Sequence, residues 1–127
     1  MDERERYENG MAVRRAVLGD AHVEHRLKGL TDFNEDFQDL LTRHAWGEIW
    51  TRAGLGRQAR SLITLAMLVA LNRGDEFRMH VRAALNNGVS REEIKEVLLQ
   101  AAIYCGLPAA NSAFQAAEEI FHEIDNR

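Results

Sequence analysis

The chain has 127 residues, 46% of them hydrophobic and 28% charged, a balance that suits one compact globular domain and excludes a disordered one. Its net charge of −4 argues against a nucleic-acid surface, and its single cysteine, Cys105, excludes an intramolecular disulfide, as suits a reducing cytoplasm. The longest apolar run, LITLAMLVAL at 62–71, is too short to span a bilayer, and the charged start MDERERYENG lacks the apolar core of a secretory signal, so a soluble cytoplasmic protein with no membrane partner is expected.

Helical period dominates and strand alternation persists nowhere. A first helix covers about 3–18 and stops at Gly19; residues 19–32 hold a possible helical turn in HVEHRLKG. A second opens at TDFNEDF, with Asp32 as cap and Glu35 reaching back, and runs through LLTRHAWGEIWTR to Gly54 and Gly56. A third, about 57–72, is apolar nearly all round, which predicts a central buried helix. The fourth carries Phe77, Val81, Ala84 and Leu85 at i, i+4, i+7, i+8 and ends at Asn87-Gly88. The fifth opens on a Ser90/Glu93 capping box and shows the stripe Ile94, Val97, Leu98, Ala101, Ala102, Cys105. Gly106 ends it, and Pro108 starts a sixth helix rich in Ala109, Ala110, Ser112, Ala113, Ala116 and Ala117, where another helix can approach closely. Short links make helices three to five expected neighbours. The expected architecture is one all-α domain, 1–127, a bundle of about six helices.

Chemistry-bearing residues are few. His80 lies at one flank of the Phe77/Val81/Ala84 stripe, where a histidine is either packed structure or half-buried and open to a ligand. Trp46 and Trp50 share a face at i, i+4, as packing residues or a pocket wall, and Glu48 points away, with Arg52 as an i+4 partner. Arg57 and Arg60 start the third helix, as a solvated end or an anion site; only two of the basic residues are lysines, and arginine's planar fork suits carboxylates. His22 and His25 are spaced i, i+3 for a metal, but a third ligand is missing, so no metal is expected. Cys105 reads as a small buried residue.

The run LITLAMLVALNRGDEFRMHVRAALNNGVSREEIKEVLLQAAIYCGLPAANSAF, together with RRAVLGDAHV (14–23), FNEDFQ (33–38) and AWGEIWTRAGL (45–55), resembles the carboxymuconolactone decarboxylase family over nearly the whole chain. The resemblance implies an alkylhydroperoxidase D-like fold. The hydroperoxidase branch of that fold works through a C-x-x-C-x-x-x-H motif and a glutamate. Here the histidine is kept as His80 and a following glycine as Gly88, but the cysteines fall on Arg73 and Glu76 and the glutamate on Ser61. Without a cysteine pair there is no dithiol to cycle, so peroxidase chemistry is disfavoured.

What the resemblance implies instead is loss of CO₂ from a γ-carboxylated unsaturated lactone, giving an enol-lactone of the β-ketoadipate pathway. The lactone is its own electron sink, so no cofactor is expected. His80 would be general acid or oxyanion donor, and Glu48 its orienting or second acid–base group. Arg60 would bind a substrate carboxylate, with Arg57, Arg78 and Arg82 as lesser candidates; Trp46, Trp50 and Tyr104 would wall the pocket. A homo-oligomer, trimer or hexamer, is implied. The competing reading is a helical binding or scaffold module that kept the fold and lost catalysis; a related lactone or β-keto acid as substrate is the other alternative.

Overall fold

The structure, a computed structural model, describes residues 2–127. Among them lie seven α-helices and one π-helical segment: α1 (Glu3–Leu18), α2 (Asp20–Lys28), α3 (Glu35–Leu40), the π segment (Leu41–Ile49), α4 (Arg57–Leu71), α5 (Gly74–Asn86), α6 (Arg91–Cys105) and α7 (Leu107–Asp125). The all-α expectation holds, with α2 as the helix beyond the expected six: HVEHRLKG is part of a nine-residue helix rather than an isolated turn. The chain forms two compact units, one up to Arg57 and one from Gln58 onward.

In the amino-terminal unit, Asp2 caps α1 by accepting from the Glu5 amide at 2.8 Å, and Gly19, at φ 94°, ends it. The second capping box sits one residue earlier than expected. Thr31, not Asp32, accepts from the Asn34 amide through its hydroxyl, and Asn34, not Glu35, accepts from the Thr31 amide through its side chain, at 3.4 and 2.8 Å. After Leu40 the helix widens into the π segment, where the Trp50 amide donates to the Ala45 carbonyl five residues back. Regular helix ends at Ile49, short of the expected Arg52.

At Gly10 and Gly47 the π segment and α1 meet backbone to backbone. A Cβ built on Gly10 would stand 2.0 Å from the Thr42 carbonyl oxygen, and one on Gly47 would stand 2.4 Å from that of Arg6. Both glycines are needed for this approach, whatever their φ.

In the carboxyl-terminal unit, α5 and α6 both pack closely on α7. Ala113, Ala116, Ala117 and Ile120 of α7 meet a core of Leu65, Val69, Phe77, Val81, Ala84, Val89, Ile94, Leu98 and Ala101. The close backbone partner of α5 is α7, whose alanine face lets backbones approach, whereas the expected neighbours α4 and α6 meet it through side chains of the shared core. The Ser90/Glu93 capping box is formed, with both bonds at or under 3.0 Å. Asn72, at φ 59°, reverses the chain between α4 and α5, and Gly88, at φ 87°, does so between α5 and α6.

The third expected helix, α4, is not buried all round. Ser61, Leu65 and Val69 face the core, while Ile63, Met67 and Leu71 are 40%, 58% and 64% exposed. Its second apolar face is uncovered within the chain. On α6, Ile94, Leu98 and Ala101 are buried as expected, but Val97, Ala102 and Cys105 are only half-buried, since the stripe's far edge opens toward α4.

Two outcomes follow from this packing. Gly10→Ala is expected to lower unfolding stability by about 1–3 kcal/mol or more, because backbone must move, whereas Gly54→Ala, which meets nothing within 4 Å, should change it little. Urea titration followed by tryptophan fluorescence measures both. The second concerns Asp125, which accepts from both terminal nitrogens of Arg91 at 2.7 and 3.0 Å, an interaction that holds its carboxyl below the ordinary range. A folded pKa below the unfolded one gives stability that is full above the unfolded pKa, about 3.9, and is lost as pH falls through the folded value. Asp125→Asn should therefore shallow the acid limb of the urea midpoint below about pH 4 and leave the limb above pH 6 parallel to wild type.

Candidate functional site

His80 is 8% exposed, buried rather than at a half-open flank. The reason lies in its neighbours. At about 100° per residue, Ala83, also buried, extends the buried arc of α5 beyond His80, so the imidazole falls inside that arc with Phe77, Ala84 and Val81. Arg73 and Glu76, at the hydroperoxidase cysteine positions, are exposed, and Ser61, at the glutamate position, is fully buried and accepts from the Asn87 side chain at 3.1 Å.

The arginines on the exposed side of α5 are engaged. Arg78 donates to Glu119 at 3.0 Å, and Arg82 to Glu123, so two rungs tie α5 to α7. Arg60 is half-buried, and Arg57 is exposed at the first turn of α4. Tyr104, 82% exposed, lines a cavity of about 410 Å³ with Leu62, Ile63, Ala66, Val97 and Cys105; His80 is not in its lining.

In the amino-terminal unit, Trp46 is buried and stacks on Trp50 with ring centroids 4.9 Å apart, as their spacing predicts. Glu48 is bonded to His44 Nδ1 at 2.9 Å and stands 3.6 Å from the Arg6 guanidinium. The expected partner, Arg52, lies beyond the last helical residue, where the i+4 rule no longer applies. The hydrogen bond from His44, then the Arg6 charge, holds the Glu48 carboxyl below its ordinary range. It is therefore ionised at neutral pH and accepts the hydrogen bond from His44.

His22 is half-buried, and burial, Arg26, Arg14 and His25 all depress its pKa. Among the described residues, no three His, Cys, Asp or Glu side chains gather at a possible metal position.

Sequence reasoning passed over Arg14. It is 4% exposed and occupies the buried face of α1 with Gly10 and Val17 at i, i+4, i+7. An arginine inside a core-facing stripe was the available signal. Its Nη1 donates to the Thr42 hydroxyl at 3.1 Å and its Nη2 to the Gln38 side-chain oxygen at 2.9 Å.

Residues 35–119 match the carboxymuconolactone decarboxylase family model. The chain is 52% identical to a 4-carboxymuconolactone decarboxylase of Acinetobacter baylyi over 98% of its own length and 92% of the relative's. It is 39% identical to the nitrosuccinic acid decarboxylase npaB of Metarhizium robertsii over 93% and 82%. Against a 4-carboxymuconolactone decarboxylase of Pseudomonas putida it is 62% identical over 38% of this chain and all of that one. With the match running through α5 and His80, this chain belongs to the carboxymuconolactone decarboxylase family.

Proposed function

We propose that the protein is a carboxy-lyase that converts 4-carboxymuconolactone to the β-ketoadipate enol-lactone without a cofactor, in the cytoplasm, on one alkylhydroperoxidase D-like domain. The observation that carries this reading is the 52% identity, over nearly both full lengths, to a protein named for that reaction.

The chemistry sets the demands. The bond between the ring carbon and the carboxylate breaks, CO₂ leaves, and its electron pair moves through the ring C=C into the lactone carbonyl. The resulting dienolate must be stabilised and then protonated on carbon. His80 is the proposed proton donor or oxyanion donor. Its apolar neighbours Phe77, Val81 and Ala84 support this, since a donor works harder where water is excluded. Glu48 is the proposed second acid–base or orienting group, and its ionised state fits an acceptor. Arg60 is the first choice for a substrate carboxylate. Arg57, Arg78 and Arg82 rank below it, the last two because a ligand would have to displace Glu119 or Glu123. Trp46, Trp50 and Tyr104 are the proposed pocket walls.

A homo-oligomer, trimer or hexamer, is part of the proposal. It is supported by the uncovered apolar residues of α4, Ile63, Met67 and Leu71, and by Ile103 and Leu107, 78% and 70% exposed. A surface patch of that kind is a usual assembly face.

The identity to a nitrosuccinic acid decarboxylase favours a second substrate class, an acid whose nitro group, like the lactone, takes up the electron pair. Purified protein given each compound and followed for CO₂ release decides between them. Turnover of the lactone alone supports the first reading, and turnover of the nitro acid alone replaces it. His80→Gln, with folding checked by circular dichroism because the site is buried, should lower turnover by about two to four orders of magnitude. Arg60→Ala should raise KM more than it lowers kcat. Dialysis against a chelator should leave the rate intact; recovery of a lost rate by one added metal would instead implicate His22 and His25.

A further inference from the structure

The amino-terminal unit holds a cavity of about 340 Å³, within the range of small-molecule sites. Its inner end is built by Arg14 and Thr42, 4% and 1% exposed. Tyr7, Met11, Leu27 and Leu30 supply apolar lining, and the exposed Glu35 and Asp36 stand at the mouth.

Arg14 is the unusual member. A buried guanidinium is normally matched by a carboxylate, because an uncompensated buried charge is costly. The hydrogen-bond partners of Arg14 are two neutral groups, Thr42 and Gln38, and among the described residues it forms no ion pair. Its Nε is buried and has no hydrogen-bond partner. Burial, with Arg26 close by, pushes its pKa down, yet a guanidinium stays charged at neutral pH. The site therefore holds a fixed cation, lined by apolar groups together with Gln38, Thr42 and the carboxylates of Glu35, Asp36 and Asp39.

We propose that this cavity binds a small organic monocarboxylate with a compact apolar body. The carboxylate accepts from the Arg14 guanidinium, which lines the cavity, and the body lies against Tyr7, Met11, Leu27 and Leu30. The mouth limits the charge to one. Asp39 pairs at 2.9 Å with Arg43, which it shares with Glu3, and Glu35 and Asp36 would repel a second carboxylate. This inference does not depend on the decarboxylase reading, because it concerns binding and not turnover.

The test is titration of the full-length protein with benzoate, read by calorimetry and by nuclear magnetic resonance shifts of Thr42 and of the Gln38 side-chain amide. Saturable binding that moves both is expected. Benzamide, equal in shape but uncharged, should bind at least about tenfold more weakly, the loss of one charge-assisted hydrogen bond. Glu35→Gln and Asp36→Asn, both at exposed positions, should each tighten benzoate by about two-fold at low salt, with the gain fading at high salt. Arg14→Gln should abolish binding. If that variant fails to fold, the benzamide comparison and the mouth variants decide. Absence of saturation, equal affinity for benzoate and benzamide, or shifts confined to other residues would each overturn the proposal and leave Arg14 as a tie between α1, α3 and the π segment.

Discussion

Where α1 crosses the π segment, two backbones touch. Gly10 and Gly47 leave no Cβ to hold the two helical segments apart, and the Thr42 and Arg6 carbonyls occupy the space where side chains would stand. The rest of the amino-terminal unit depends on that distance. One turn beyond Gly10, Arg14 reaches the Thr42 hydroxyl and Gln38 only because the two helices are this close. On the other side, Arg43 of the π segment reaches Glu3 of α1 at 2.7 Å. The π geometry belongs to the same arrangement: its wide turn brings Thr42 and Gly47, five residues apart, both onto α1.

The carboxyl-terminal unit solves the same problem with alanine. The buried Ala110, Ala113, Ala116 and Ala117 let α7 serve both α5 and α6, and the flanks of that contact carry charge pairs. Arg78 with Glu119, Arg82 with Glu123 and Arg91 with Asp125 are exposed, so each contributes little stability by itself. Their effect is on register. Arg78 and Arg82 are four apart, as are Glu119 and Glu123, so a slip of one turn would leave one charge of each sign without its counterpart. Arg91 adds a face-on approach to Phe121, 4.6 Å from the ring centre.

What could be read from the sequence follows how local the cause is. The Ser90/Glu93 capping box, the stops at Gly19, Gly88 and Gly106, and the Trp46/Trp50 stack are fixed within a few residues, and all appear where expected. The helix start at Thr31 was displaced because two overlapping capping pairs, Thr31/Asn34 and Asp32/Glu35, compete, and only packing chooses between them. The π segment, the burial of Arg14 and the depth of His80 depend on a partner helix far away in sequence. A helical wheel assumes a regular turn and knows nothing of what lies opposite. For the same reason α4 looked central: its apolar period shows that two faces want cover, but not whether this chain or another supplies it.

His80 shares the buried face of α5 with Phe77, Val81 and Ala84, where a hydrogen bond made away from water is worth more. A dienolate formed by decarboxylation concentrates negative charge on one oxygen. Before CO₂ leaves, that charge sits on the departing carboxylate and the lactone carbonyl oxygen carries none, so a donor aimed at that oxygen meets the full charge only as the C–C bond breaks. If His80 is the donor, its stabilisation is therefore greater in the transition state than in the ground state, which is the condition for raising kcat rather than only tightening binding. A histidine packed for structure alone would gain nothing from the developing charge. The distinction lies in whether the pH dependence of turnover changes when the imidazole is replaced by an amide that fills the same space but cannot carry a proton.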